Sequence, residues 1–201
     1  ERGVNYVVYD GVLPNPTIDQ IETGLSLLKA KGCTAILAVG GGSSIDAAKV
    51  IAARAKNPHK IVHMAGLMRV IFKPMPLYAV PTTAGTGSEV TIAAVVSDPS
   101  TTRKFAIMDP KLVPIAAALD GALMAGLPAP ITAATGMDAL THAVEAYISR
   151  NRNAATDAEA GQPLVIDGRH YTRIFSAGDA RHERYHGAAN IRVYDEQSGE
   201  A

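Results

Sequence analysis

Apolar residues at Ile18, Ile21, Leu25 and Leu28 recur at spacings of three and four, which predicts one helical face following Pro14-Asn15-Pro16-Thr17. Thr17 with Gln20 fits a capping box at the start of that helix, and Gly32 fits a left-handed stop at its end. Residues 34–39 are then continuously apolar, the pattern of a strand covered on both faces of a parallel sheet. A second helix is predicted from the serines at 43 and 44 to about Ala55, with Ala47, Ala48, Ala52 and Ala53 small enough for close packing on a sheet. Further strands are predicted at residues 5–9, 77–80, 93–96, 105–108 and 115–119. Alternating strand and helix gives an α/β class with a parallel sheet. From Ala129 to about Ser149 an alanine-rich helical pattern takes over, which predicts that a second, helical domain begins there.

Composition narrows the setting. Nineteen basic and nineteen acidic side chains leave no net charge, and neither sign is gathered into a long block, so no nucleic-acid partner is expected. The apolar runs are too short to span a membrane, so the expectation is a soluble, cytoplasmic protein with no membrane partner. The single cysteine, Cys33, excludes an internal disulfide and any zinc site built from several thiolates, and reads as an inert, partly buried thiol. The last 41 residues break with what precedes them: they hold five Arg, no Lys and three of the six His, after Gly161-Gln162-Pro163 interrupts a helical pattern over residues 154–160. The predicted organisation is an α/β unit over 1–127, the first helices of a second domain over 128–160, and an unassigned tail over 161–201.

Three segments carry candidate chemistry. Gly40-Gly41-Gly42-Ser43-Ser44 joins a strand to a helix, where glycine lets the backbone approach a phosphate and the helix N-terminus presents unpaired N–H groups. Asp46 is placed to accept backbone N–H bonds in the first turn as a cap, and an ordinary tight turn suits the same residues. Pro81-Thr82-Thr83-Ala84-Gly85-Thr86-Gly87-Ser88-Glu89 follows a predicted parallel strand at its carboxyl end, where ligands of open α/β sheets bind. Its hydroxyls suit ribose, phosphate or a nicotinamide amide, or equally a polar surface loop. Asp138 and His142 lie four residues apart on one helical face, continued by Glu145 and Ser149, while Leu140, Ala143, Val144 and Tyr147 form a separate apolar face. A carboxylate with an imidazole suits Fe, Zn, Mn or Ni, and an exposed helical pair is the alternative.

Taken in order, these three segments, together with Asp10-Gly11-Val12 and Pro14-Asn15-Pro16-Thr17, resemble the iron-containing (group III) alcohol dehydrogenase family over about residues 1–160. The resemblance implies a Rossmann-like parallel-sheet nucleotide-binding domain followed by the start of an all-helical metal-binding domain. It implies a coenzyme, NAD or NADP, lined by Asn15, Gly40, Gly41, Gly42, Ser43, Asp46, Thr82, Thr83, Thr86 and Lys104. It further implies Fe(2+), or Zn(2+) or another divalent metal, with Asp138 and His142 as two of four ligands. A small alcohol or aldehyde is the implied substrate, and a homodimer the implied assembly. Without the resemblance, Lys104 reads as an exposed strand-edge charge.

The family's opening strand, helix and second strand, and its later metal-binding helices, have no counterpart in the sequence, and no resemblance is found after Ala160. The expectation is therefore an incomplete chain, weakly active or inactive as an alcohol dehydrogenase; the alternative is a non-catalytic remnant that binds only a dinucleotide or a partner subunit. His182-Glu183-Arg184-Tyr185-His186 fits the H-E-x-x-H string of zinc peptidases, but Gly178 and Gly187 bracket a short polar segment with no nearby third ligand. His170, His182 and His186 are also candidates to complete a site with Asp138 and His142, solvent-exposed histidines being the alternative.

Overall fold

Thr17 and Gln20 close the predicted capping box: the Gln20 N–H donates to Thr17 Oγ1 at 3.3 Å and the Thr17 N–H to Gln20 Oε1 at 3.2 Å, starting helix α1 (Ile18–Ala30). Gly32, at φ +62, follows its end. These elements belong to a computed structural model that describes residues 5–150 and 153–160. The described residues fall into two compact units, one formed by residues 5–81 with Ser88–Ala118, the other by Thr82–Gly87 with the described residues from Leu119 to Ala160.

The first unit is mixed α/β. Strands β1 (Ile36–Gly40), β3 (Leu77–Pro81) and β6 (Ala116–Ala117) form a parallel sheet in the order β1-β3-β6. Strands β2 (Gly66–Leu67), β4 (Ala93–Asp98) and β5 (Arg103–Met108) form another in the order β2-β5-β4, with β4 and β5 antiparallel. Helix α2 (Gly42–Lys56) packs against both sheets and α1. Ile45, Ala48 and Ala52 meet Ala38, Leu77 and Ala79, while Ala47, Val50 and Ile51 meet Ile21, Leu25, Val96 and Ile107. Ile21, Ile45 and Val50 are fully buried, and each such side chain contributes roughly 1.5–3 kcal/mol on leaving water. The alanines on both sides of α2 let it approach two layers at once.

Several expectations are corrected. Residues 5–9 form no strand: Tyr6 and Val8 are exposed, and the segment is anchored by the Tyr9 hydroxyl, which donates to the Gln20 carbonyl at 2.7 Å. The strand expected over 115–119 shortens to two residues. The expected parallel sheet is present as β1-β3-β6; β4 and β5 stand outside it as an antiparallel pair, because only residues 99–102 separate them, too few for the crossover that a parallel pair needs. Nor is β1 covered on both faces among the described residues: Leu37 is 64% and Val39 58% exposed.

In the second unit, α3 (Ala129–Ile148) packs against α4 (Ala154–Ala160). Gly136 and Ala139 are its buried residues; of the apolar face, Leu140 and Ala143 are half-buried and Val144 and Tyr147 exposed. No helix among the described residues is long and apolar enough to cross a membrane.

Candidate functional site

Helix α2 starts without a side-chain cap. Gly41 is its extended N-cap residue, and no acidic residue lies in its first turn. Asp46, expected as a cap, points elsewhere. The helix thus leaves N–H groups and the positive end of its dipole for an anion. Gly40 has φ +152, and a Cβ there would stand 2.6 Å from Ser44 Oγ and 2.8 Å from Ser44 Cβ, so this tight strand-to-helix turn needs glycine. Gly40 is the register partner of Pro81, the residue that precedes Thr82. The two small-residue segments therefore leave neighbouring parallel strands at their carboxyl ends.

Asn15, Ser43 and Lys104 meet at that helix start. The Asn15 N–H donates to Ser43 Oγ at 3.2 Å, and Lys104 Nζ donates to Asn15 Oδ1 at 2.7 Å. Asn15 sits at φ +59, a left-handed conformation that asparagine tolerates better than most residues. Lys104 is brought there by strand register: it pairs with Ser97 across the β4–β5 hairpin, and the Ser97 N–H donates to the Pro16 carbonyl at 2.8 Å, beside Asn15. Because Ser43 Oγ accepts from Asn15, its own proton remains for another acceptor. Gly41, Gly42, Ser43, Asn15 and Lys104 thus form an electropositive, donor-rich rim.

Behind this rim lies a group that the sequence reading did not single out. Lys49 is completely buried, and its Nζ donates to the Thr91 carbonyl at 2.8 Å, Thr91 Oγ1 at 3.0 Å and the Ala93 carbonyl at 2.8 Å. Burial lowers its pKa to about 8, against the attraction of Asp46 and Glu89. Asp46 turns toward β4, where its Oδ2 accepts the Val95 N–H at 2.9 Å. Burial pushes its pKa up, while the Val95 N–H, Lys49 and Ser88 favour the carboxylate. Glu89 is likewise pushed up by burial, opposed by its own backbone N–H and by Lys49. The helical register held a signal for Lys49, since Ile45 and Ala53, four residues to either side, are apolar core positions.

The second unit holds the other candidates. Thr82, Thr83 and Thr86 are partly exposed in the loop Thr82–Gly87. Gly85, at φ +126, rests on α3 so closely that a Cβ would lie 2.2 Å from the Thr135 carbonyl oxygen. The loop is therefore fixed on the helix that carries Asp138 and His142, whose Oδ1 and Nε2 are 3.6 Å apart on half-exposed side chains. Donors to one first-row divalent ion at about 2.1 Å stand roughly 3.0–3.4 Å from each other, so this pair needs little adjustment to share a cation. Among the described residues no group of three or more His, Cys, Asp and Glu could hold a metal. The pair therefore fits part of a metal site. His170, the 182–186 string and its histidines lie outside the described residues.

The iron-containing alcohol dehydrogenase family matches residues 1–121, and the Fe-containing alcohol dehydrogenase family, C-terminal, matches residues 132–187. The second match crosses the composition break at Gly161, correcting the expectation that family resemblance stops at Ala160. Alcohol dehydrogenase 4 of Schizosaccharomyces pombe is 42% identical over 178 residues, covering 89% of this chain and 42% of that protein. The 1,3-propanediol dehydrogenase of Citrobacter freundii is 43% identical, covering 89% and 46%. Among solved structures, a 1,3-propanediol oxidoreductase superposes with a TM-score of 0.75 at 44% identity, covering 77% of this chain and 40% of that one. A sulfoacetaldehyde reductase from Bifidobacterium kashiwanohense in complex with NAD+ gives 0.73 at 31%, covering 77% and 42%. The chain spans less than half the length of these relatives.

Proposed function

Because the chain belongs to the iron-containing alcohol dehydrogenase family, we propose that it carries the coenzyme side of an NAD(P)-dependent, divalent-metal-dependent exchange of hydride between a small alcohol and its aldehyde. The observation that carries this reading is the meeting of Asn15, Ser43 and Lys104 at the uncapped start of α2. There the backbone of Gly40, Gly41 and Gly42, the Ser43 hydroxyl and the Lys104 ammonium bind the coenzyme's diphosphate. Asn15 holds Lys104 in place. Thr82, Thr83 and Thr86 supply hydroxyls for ribose and the nicotinamide amide, on a loop held by Gly85 against α3. Asp46, on α2, backs the site by bonding to Val95 of β4.

Asp138 and His142 supply two donors for iron or a related divalent ion, with the remaining donors from outside the described residues. The chemistry such an ion supplies when bound is polarisation of the alcohol or aldehyde oxygen, and that of the nicotinamide is to take or give hydride. We assign coenzyme binding to residues 1–127 and the start of the metal-binding helices to 128–160, and the family match to residue 187 supports extending the family assignment past 160. The two-donor count among the described residues favours a second reading, in which the chain binds a dinucleotide without turnover.

Titration of the chain with NADH, followed by nicotinamide fluorescence, tests the coenzyme reading. Saturable binding in the micromolar range is expected, weakened at least tenfold in Lys104→Glu. No saturable binding, or unchanged binding in that variant, would overturn it. Iron analysis of the same preparation, with NAD+-dependent oxidation of short diols, separates the two readings.

A further inference from the structure

Strand β4 is an edge strand of its sheet, and backbone groups along its outer side and just before it are bonded to other elements. The Thr91 and Ala93 carbonyls accept from Lys49, the Val95 N–H donates to Asp46, and the Ser97 N–H donates to the Pro16 carbonyl. Two side chains of α2, followed by the segment preceding α1, therefore run along the edge where another strand would pair.

This placement has a cost that stability alone does not explain. Lys49 is fully buried, and an apolar side chain of similar size at such a position is commonly neutral or more stable. An apolar residue cannot fix register, because packing tolerates sliding along a strand. Four directional bonds from Asp46 Oδ2 and Lys49 Nζ do not tolerate it. The register they fix has a visible consequence. Ser97 is the partner of Lys104 across the hairpin and is also bonded to Pro16, next to Asn15. A one-residue slip of the β4–β5 hairpin along α2 would carry Lys104, with its partner Ser97, to the other face of the sheet, away from Asn15 and Ser43.

We infer that Asp46 and Lys49 are positioning residues of the coenzyme site: by holding β4 to α2 in one register, they keep Lys104 and Asn15 in front of the glycine turn. The inference rests on the coenzyme reading proposed above. Neither residue needs to touch the coenzyme, since each acts through Lys104 and Asn15.

The test is NADH titration of the chain carrying Lys49→Met, Lys104→Met and both, each confirmed as folded by circular dichroism at the assay temperature. Lys49→Met is expected to weaken binding at least tenfold. Because it acts through Lys104, the double variant should bind no more than about twofold more weakly than Lys49→Met alone. Leu25→Ala, which thins the same core without removing any of these bonds, should lower the melting temperature while changing affinity less than twofold. Should Lys49→Met not fold, Asp46→Ala and Thr91→Val remove one contact each, and each is expected to weaken NADH binding threefold or more. Affinity within twofold of wild type in a folded Lys49→Met chain, fully additive losses with Lys104→Met, or no loss in both single-contact variants would overturn the inference. If the wild-type chain binds no NADH, the coenzyme reading itself fails, a result distinct from these.

Discussion

Lys104 Nζ donates to Asn15 Oδ1 at 2.7 Å, joining β5 to the turn before α1 and leaving the ammonium beside the start of α2. Asn15 holds this contact from φ +59, so its side chain and its backbone matter separately. Asn15→Gly keeps the left-handed backbone and loses the acceptor, whereas Asn15→Ala also costs about 1 kcal/mol of backbone strain. Both substitutions should weaken NADH binding to a similar degree, but only Asn15→Ala should lower the midpoint of urea unfolding appreciably. Equal midpoints would show that the left-handed turn carries no strain.

Gly85 provides the sharpest steric test in the second unit. A Cβ there would stand 2.2 Å from the Thr135 carbonyl oxygen, and that oxygen belongs to backbone and has nowhere to retreat. Gly85→Ala should destabilise the chain by roughly 2–4 kcal/mol, the range of strained backbone combined with overpacking. Gly126→Ala, where a Cβ meets nothing within 4 Å, should stay within about 0.5 kcal/mol. Comparable melting temperatures for the two variants would refute the tight seating of the loop on α3.

Much of this was legible in the sequence wherever the determining interaction is local. The Thr17–Gln20 box spans three residues, the glycine turn is continuous in sequence, and the Asp138–His142 pair is one helical turn long. What escaped depends on partners far along the chain. Asp46 sits where a cap belongs, yet bonds to Val95 on β4. Lys49 resembles any helical lysine until the Thr91 and Ala93 carbonyls are placed against it. The apolar run at 34–39 suggested cover on both faces, but composition cannot say what covers a strand, and Leu37 and Val39 are exposed. Residues 5–9 have strand composition without a neighbouring edge to pair with among the described residues. The short 99–102 connection did carry readable information: it forces β4 and β5 to run antiparallel.

Buried Lys49 also sets how stability varies with pH. Its pKa is about 8 in the folded chain, against 10.5 for a free lysine. Between these values the unfolded chain binds more protons than the folded one, so stability rises with pH. The cost of burying the charge is fully present below about pH 8 and is relieved toward pH 10. The depression corresponds to at most about 3 kcal/mol. Tyr9, whose pKa burial raises from 10.0, acts in the opposite sense, and only near pH 10 and above. Urea unfolding at pH 7.5, 8.5 and 9.5 should show a rising midpoint in the wild type and a flat one in Lys49→Met. A midpoint that falls in the wild type would contradict a buried, charge-disfavoured lysine.

Asp138 Oδ1 and His142 Nε2, 3.6 Å apart, lead to a prediction about how metal affinity is divided. If both donors hold one ion, removing either breaks the chelate, and the second removal takes away little more. Asp138→Ala and His142→Ala should each weaken divalent-ion binding at least tenfold, and the double variant should bind no more than about threefold more weakly than either single one. Equilibrium dialysis of the chain against Zn(2+) or Co(2+) measures this directly. Independent surface sites would give small, additive losses. A helical ion pair without a metal role would give none, since exposed pairs of this kind contribute only about 0–1 kcal/mol and bind no cation. A large, non-additive loss means that further donors come from beyond the described residues, because two ligands alone do not complete a site for such an ion. The family match through residue 187 makes His170, His182 and His186 the next substitutions to measure in the same dialysis.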